Sequence, residues 1–175
     1  MNFDFCEKCP LKKSNRYVEA EFATNAKVLF VGEAPGETEV TLGQPFVGMS
    51  GQILRNVLDR MDIVYNISNI VKCRPTTSSG KNRTPTSEEI KHCFPLIEKE
   101  VQNKKYKLIV LLGRIALNAF FPDLKMKDIV EQIMIKDKTR FLVLYHPSYI
   151  ARNRGTDIER KWIEDLLNIE NIIRG

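Results

Sequence analysis

Apolar residues along the chain fall alternately into short unbroken runs and longer periodic stretches. The runs are Lys27 to Val31, Ile63 to Val71, Lys107 to Gly113 and Arg140 to Tyr145, all rich in Val, Ile and Leu. Runs of this kind, without polar alternation, predict strands buried on both faces, as in a parallel sheet. Between them lie helical patterns. Ile53, Leu54, Val57, Leu58 and Met61 share one face of a helix that Ser50 is placed to cap. Thr86 with Glu89 makes a capping box that opens a helix over Ser87 to Gln102, and Pro95 must lie near its front or kink it. Arg114 to Phe121 predicts a short helix ended by Pro122. Asp157 opens a closing amphipathic helix to about Ile173 that presents Trp162, Leu166 and Ile169 to the core. Residues 123 to 138 are ambiguous between irregular structure and a strand around Ile133 to Ile135, and residues 1 to 25 are polar and expected to wrap the surface.

Alternation of this kind argues for an α/β fold, a parallel sheet covered by helices on both faces. A length of 175 residues suits one domain spanning 1 to 175, with an N-terminal segment tied down by its cysteines. Three connections leave strand C-termini, beginning at Gly32, Asn69 and His146, and so converge on one edge of the sheet. That edge is where open α/β sheets bind ligands.

Composition changes the picture in two places. No apolar run approaches the roughly 20 residues of a membrane span, and the N-terminus lacks the basic and apolar regions of a secretory signal, so an intracellular location is expected. A net charge of +5 and a pI near 9.0 favour a polyanionic partner. Lys72, Arg74, Lys81 and Arg83 crowd one segment, and residues 75 to 85 read as a mobile basic loop. Arg152 and Arg154 flank the segment after His146. The four cysteines, Cys6, Cys9, Cys73 and Cys93, include a Cys-x-x-Cys pair whose two thiolates can reach one metal centre. Spacing alone leaves a structural zinc, an iron–sulfur cluster and unrelated buried thiols all open.

The convergent edge carries a distinct set of groups. Glu33 and Glu39 are carboxylates, Phe46 is an aromatic platform, Asn69 a carboxamide and His146 an imidazole. A carboxamide can pair with one edge of a nucleobase, an aromatic ring can stack on it, and arginines can hold phosphates. A carboxylate can orient water or face a cationic sugar, and histidine can donate to an oxygen gaining negative charge. Each also has a plainer use: histidine in a turn, asparagine as a cap, phenylalanine in the core, Glu39 facing water. The GEAPG run lacks the Lys-Ser/Thr of a P-loop and the G-x-G-x-x-G spacing, which argues against nucleotide triphosphates. The set outlines a pocket for a single base taken out of a nucleic acid.

The runs GEAPGETE and GQPFVGMSG, SNIVKCRP, NRTP, LLGRIA and YHPS resemble, in order, the family 4 iron–sulfur uracil-DNA glycosylases. Cys6, Cys9, Cys73 and Cys93 fall where that family has its cluster ligands. The resemblance implies a three-layer α/β/α sandwich with a four-stranded parallel sheet, a structural [4Fe–4S] cluster, and hydrolysis of the N-glycosidic bond of deoxyuridine in DNA. It implies that Phe46 stacks on the flipped uracil, Asn69 reads its pairing edge and His146 stabilises charge on O2. Glu33 would orient the water, Glu39 would line the pocket near C5, and Gly32, Ala34 and Ser148 would be further substrate contacts. Arg74, Lys81, Arg83 and Arg152 would meet DNA, with Ser148 to Arg152 helping to hold the duplex open. The expected state is a monomer acting on uracil-containing DNA of the nucleoid, with no membrane partner. Two departures stand out. Val40 replaces a usual acidic residue, and residues 76 to 80 lengthen the loop after KCRP without supplying a histidine. They motivate the alternative of a non-cleaving uracil-, DNA- or repair-protein-binding module of the same fold.

Overall fold

A computed structural model describes residues 4–12, 17–102 and 105–175. Its centre is a sheet of five strands in the order β2-β1-β3-β5-β4. β1 (Val28–Gly32), β2 (Tyr65–Asn69), β3 (Leu108–Leu112) and β5 (Thr139–Leu144) are parallel, and β4 (Ile133–Lys136) pairs antiparallel with β5 at the edge. The expected four parallel strands are therefore present, with one more beside them. β4 comes from the ambiguous stretch and joins β5 through a tight turn at Asp137 and Lys138, whose φ values are 49° and 66°.

Side-chain alternation sorts the strand residues into two cores. Val28 and Phe30 of β1, Leu108, Val110 and Leu112 of β3, and Leu142 and Leu144 of β5 face one helical layer. It comprises α3 (Met49–Leu58), α7 (Pro147–Ala151), α8 (Asp157–Leu167) and α9 (Ile169–Arg174). Leu29, Val31, Ile109, Leu111, Phe141 and Val143 face the other, under α4 (Ser87–Gln102) and α5 (Arg114–Phe120). Each core strand thus buries both faces, which is why its sequence shows no polar alternation. The short helices α1 (Asp4–Glu7), α2 (Glu37–Leu42) and α6 (Met126–Ile129) lie in connections.

Several boundaries differ from the expected ones for identifiable reasons. The closing helix is broken at Asn168 into α8 and α9, while Trp162, Leu166 and Ile169 are buried as expected. α3 starts one residue before Ser50, with Gly48 as its cap. The capping box of α4 forms in both directions, Glu89 N donating to Thr86 Oγ1 at 3.2 Å and Thr86 N to Glu89 Oε2 at 2.7 Å. Residues 75 to 83 are an ordered hairpin rather than a mobile loop. Thr77 N donates to Lys81 O at 2.8 Å, Gly80 N to Thr77 O at 3.0 Å and Arg83 N to Pro75 O at 3.1 Å. The segment after Tyr17 runs antiparallel along the outer edge of β2, Val18 N bonding Lys72 O and Glu21 exchanging both bonds with Ile67.

Candidate active site

Parallel pairing sets Gly32 of β1 opposite Asn69 of β2, so both strands end level. The level persists past the strands, because Ile70 N donates to Gly32 O and Val71 N to Glu33 O, each at 3.0 Å. β5 ends nearby, and His146 follows it as the N-cap of α7. A cleft of about 390 Å³ opens over these ends. Glu33, Ala34, Glu39, Phe46, Asn69, His146 and Ser148 line it together, with Met49, Ser50, Pro75, Asn82 and Arg83 around them.

Gly32 is the floor. A methyl group there would stand 2.3 Å from Phe46 Cζ and 2.6 Å from Asn69 Oδ1, so the ring and the carboxamide meet over bare backbone. Phe46 reaches this place from a left-handed backbone, φ 55°, unusual for a bulky residue. Its ring lies 6.0 Å from the His146 ring, tilted by 39°.

Glu39 is half-buried, and its carboxylate is engaged by the loop's own backbone. Its carboxylate accepts from Gly36 N at 3.0 Å on one arm of the loop, and from Val47 N at 3.0 Å and Gly48 N at 2.6 Å on the other. It therefore ties the two arms together and satisfies the start of α3, the task expected of Ser50. Val40 is absent from the cleft wall and serves α2 through its N–H to Gly36 O.

Glu33 is half-buried, and loss of solvent raises its carboxyl pKa while the Arg114 charge opposes the rise. The sequence did not single out Arg114. His146 Nδ1 accepts from Ser148 N at 3.2 Å and lies 2.9 Å from Ser148 Oγ. A backbone N–H can only donate, so Nδ1 carries no proton and the neutral ring keeps its N–H at Nε2. Burial, then the Arg152 charge, push the His146 pKa down to about 4 against a weaker upward pull from Glu39. The folded chain thus holds this imidazole neutral where an unfolded one, near 6.5, would be protonated. Stability from this site is complete above pH 6.5 and declines as pH falls towards 4. In an NMR titration the His146 ring signal, assigned by its loss in His146→Asn, is expected to stay in the neutral form between pH 5 and 8. A midpoint near 6.5 would show that the burial argument is wrong.

The expected DNA-facing cations divide. Arg83 holds Glu89 with both terminal nitrogens, at 2.9 and 2.6 Å, and Arg74 bonds Asn82, Glu37 and Gly80 O. Both are bound into the hairpin. Lys81 at its tip and Arg152 beside His146 are exposed. Of the segment Ser148 to Arg152, expected to hold the duplex open, Ile150 turns inward, Tyr149 stacks on Tyr145 at 4.7 Å and Arg152 is exposed.

Behind β2 the four cysteines occupy one region at the edge of the second core. Burial, followed by the proximity of Cys93, Cys9 and Cys6, drives Cys73 to about 12, and burial takes Cys93 to about 11. Lys72 N donates to Cys93 Sγ at 3.3 Å, and the Lys72 ammonium, 1% exposed, pairs with Glu100 at 2.8 Å and bonds Ser68. Among the described residues, no group of three or more His, Cys, Asp or Glu side chains closes on one point tightly enough for a metal ion. No helix among them is long and apolar enough to cross a membrane.

A mostly parallel α/β/α sheet with a small cleft at its strand ends, lined by an aromatic ring and a carboxamide, has the shape and groups that could take one flat polar ring. Residues 20–167 match the model of the uracil DNA glycosylase superfamily. A type-4 uracil-DNA glycosylase of Thermotoga maritima is 35% identical over 97% of this chain and 90% of its own length. One from Pyrobaculum aerophilum is 34% identical over 84% and 80%, and one from Archaeoglobus fulgidus 35% over 83% and 77%. The solution structure of a putative uracil DNA glycosylase from Methanosarcina acetivorans shares the fold, at TM-score 0.50 and 16% identity, over 89% of this chain and 98% of that one. The chain belongs to the uracil-DNA glycosylase superfamily, on its type-4 branch.

Proposed function

We propose that this protein excises uracil from DNA, hydrolysing the bond between uracil N1 and the deoxyribose C1′ and leaving an abasic site. The observation that carries the reading is the neutral His146 held in the same cleft as Phe46, Asn69 and Glu33. A uracil turned out of the duplex stacks on Phe46, and the Asn69 carboxamide offers donor and acceptor to its pairing edge. As the N1–C1′ bond breaks, its electron pair passes into the uracil ring and on to O2, where His146 Nε2–H donates. A neutral donor suits this step, because the oxygen changes from carbonyl to anion while the imidazole need not release its proton. Glu33 holds a water against the electron-poor C1′ and takes its proton as the C–O bond forms. Glu39 acts through the loop, holding both arms of the wall.

DNA is met first by the exposed Lys81 and Arg152, while Arg74 and Arg83 keep the hairpin in shape. Val40 lies off the wall, so its change from an acidic residue leaves the cleft intact. The test is a duplex carrying a single uracil, treated with protein and then alkali. Strand scission is expected, and its absence on both double- and single-stranded substrates would refute the reading.

Cys6, Cys9, Cys73 and Cys93 would hold a [4Fe–4S] cluster with a structural role. A cubane takes one thiolate on each of its four irons, and the four cysteines gathered at the edge of the second core supply that donor set. Bound iron would offset the thiolate charge that burial, ahead of repulsion from the neighbouring thiols, disfavours at Cys73. Cys73→Ala is expected to lose iron and the broad absorbance near 400 nm and to melt earlier. Unchanged iron content would refute the ligand assignment.

A further inference from the structure

Phe46 stands in a backbone conformation that a phenylalanine does not choose for itself, and the structure shows what holds it there. Arg55, two turns along α3, donates through Nε to Phe46 O at 2.9 Å and through Nη2 to Pro45 O at 2.8 Å. Successive carbonyls of an extended chain point to opposite sides, so one guanidinium can take both only where the backbone turns between them. The grip therefore selects the turned form. Gly51 lies one helical turn before Arg55 on the same face, and a Cβ there would stand 2.3 Å from the Phe46 carbonyl carbon. That face of α3 thus touches the Phe46 backbone at one level and binds it at the next. Nη2 also meets the exposed Glu21 carboxylate at 2.6 Å, an ion pair additional to the two carbonyl bonds.

We propose that Arg55 is the positioning residue of the base platform: its two-carbonyl grip fixes Phe46 in the left-handed turn that lays the ring over Gly32 beside Asn69. Arg55 itself is absent from the cleft wall and acts only through Phe46. The inference rests on the glycosylase reading for its kinetic consequence but not for its structural one.

The experiment is a double-mutant cycle on uracil release from a single-uracil duplex, run well below the melting point of every variant. Arg55→Met is expected to lower kcat/KM at least about tenfold in the native background, and less than about twofold when Phe46 is already alanine, because the partner it acts through is gone. An equal loss in both backgrounds, or none in the first, overturns the proposal. Arg55→Lys keeps the charge facing Glu21 but cannot fork across two carbonyls, so it covers the case in which the methionine variant fails to fold. It is expected to reproduce the loss, while Glu21→Gln stays within about twofold of wild type. A Glu21→Gln loss as large as that of Arg55→Lys would assign the effect to the ion pair and overturn the grip. A crystal structure of Arg55→Lys supplies a readout independent of activity: Phe46 is expected to leave the left-handed region. Phe46 still near φ 55° with its ring over Gly32 would overturn the inference even in an active enzyme. Inactivity of the wild type would overturn the glycosylase reading alone and leave this structural test standing.

Discussion

Gly32→Ala is expected to lower uracil release by about 100-fold or more, although it adds one methyl and removes no functional group. The added carbon would stand 2.3 Å from Phe46 Cζ and 2.6 Å from Asn69 Oδ1, far inside contact distance. Neither neighbour can retreat easily. Phe46 is 6% and Asn69 4% exposed, and Gly32 is itself fixed by accepting from Ile70 N. The ring and the carboxamide must therefore part, and in the proposed reaction the base would lose its platform and its reader together. Single-turnover rates with a melting curve provide the check, since a folded variant cleaving at wild-type rate would show that uracil does not lie there.

His146→Ala is expected to slow bond cleavage by about 10²–10³-fold, the usual loss when a donor to a developing oxyanion is removed. Affinity for uracil-containing DNA should change little, because the contact strengthens as charge reaches O2. A variant that binds poorly but cleaves normally once saturated would place His146 in recognition instead. Gly113 offers a gentler route to the same group. Its φ is 88°, and a Cβ there would press within 2.8 Å of His146 Cβ, so Gly113→Ala should shift the imidazole and cost rate without deleting the donor.

The strands and most helices were legible because their residues sort by burial alone. β1, β3 and β5 bury both faces, and apolar runs report that directly. β4 was obscured because its apolar residues lie outside: Ile133 and Ile135 are 44% and 74% exposed, so hydrophobicity did not mark an interior. The break at Asn168 carried no Gly or Pro signal. In the cleft, the residues at strand ends could be read from position, since topology brings Gly32, Asn69 and His146 together. What those residues are bonded to could not. Glu39 bracing two loop arms, Arg83 held by Glu89 and Arg55 gripping the Phe46 turn all depend on partners that only the folded chain brings near. The hairpin after KCRP misled by composition, because Ser, Gly and Lys promise freedom unless backbone bonds close the turn, as they do here.

The hairpin of β4 and β5 has a bearing on the chemistry that its remote place conceals. Its turn at Asp137 and Lys138 pairs Lys136 with Thr139, and the parallel register with β3, Leu112 opposite Leu144, gives each residue of β5 a fixed height along the sheet, two residues short of His146. A strand shifted by one residue would exchange the faces of Phe141 and Leu142 and send the imidazole to the wrong level. The two registers of β5, one on each side, act together as a ruler that sets how far along the sheet the histidine stands.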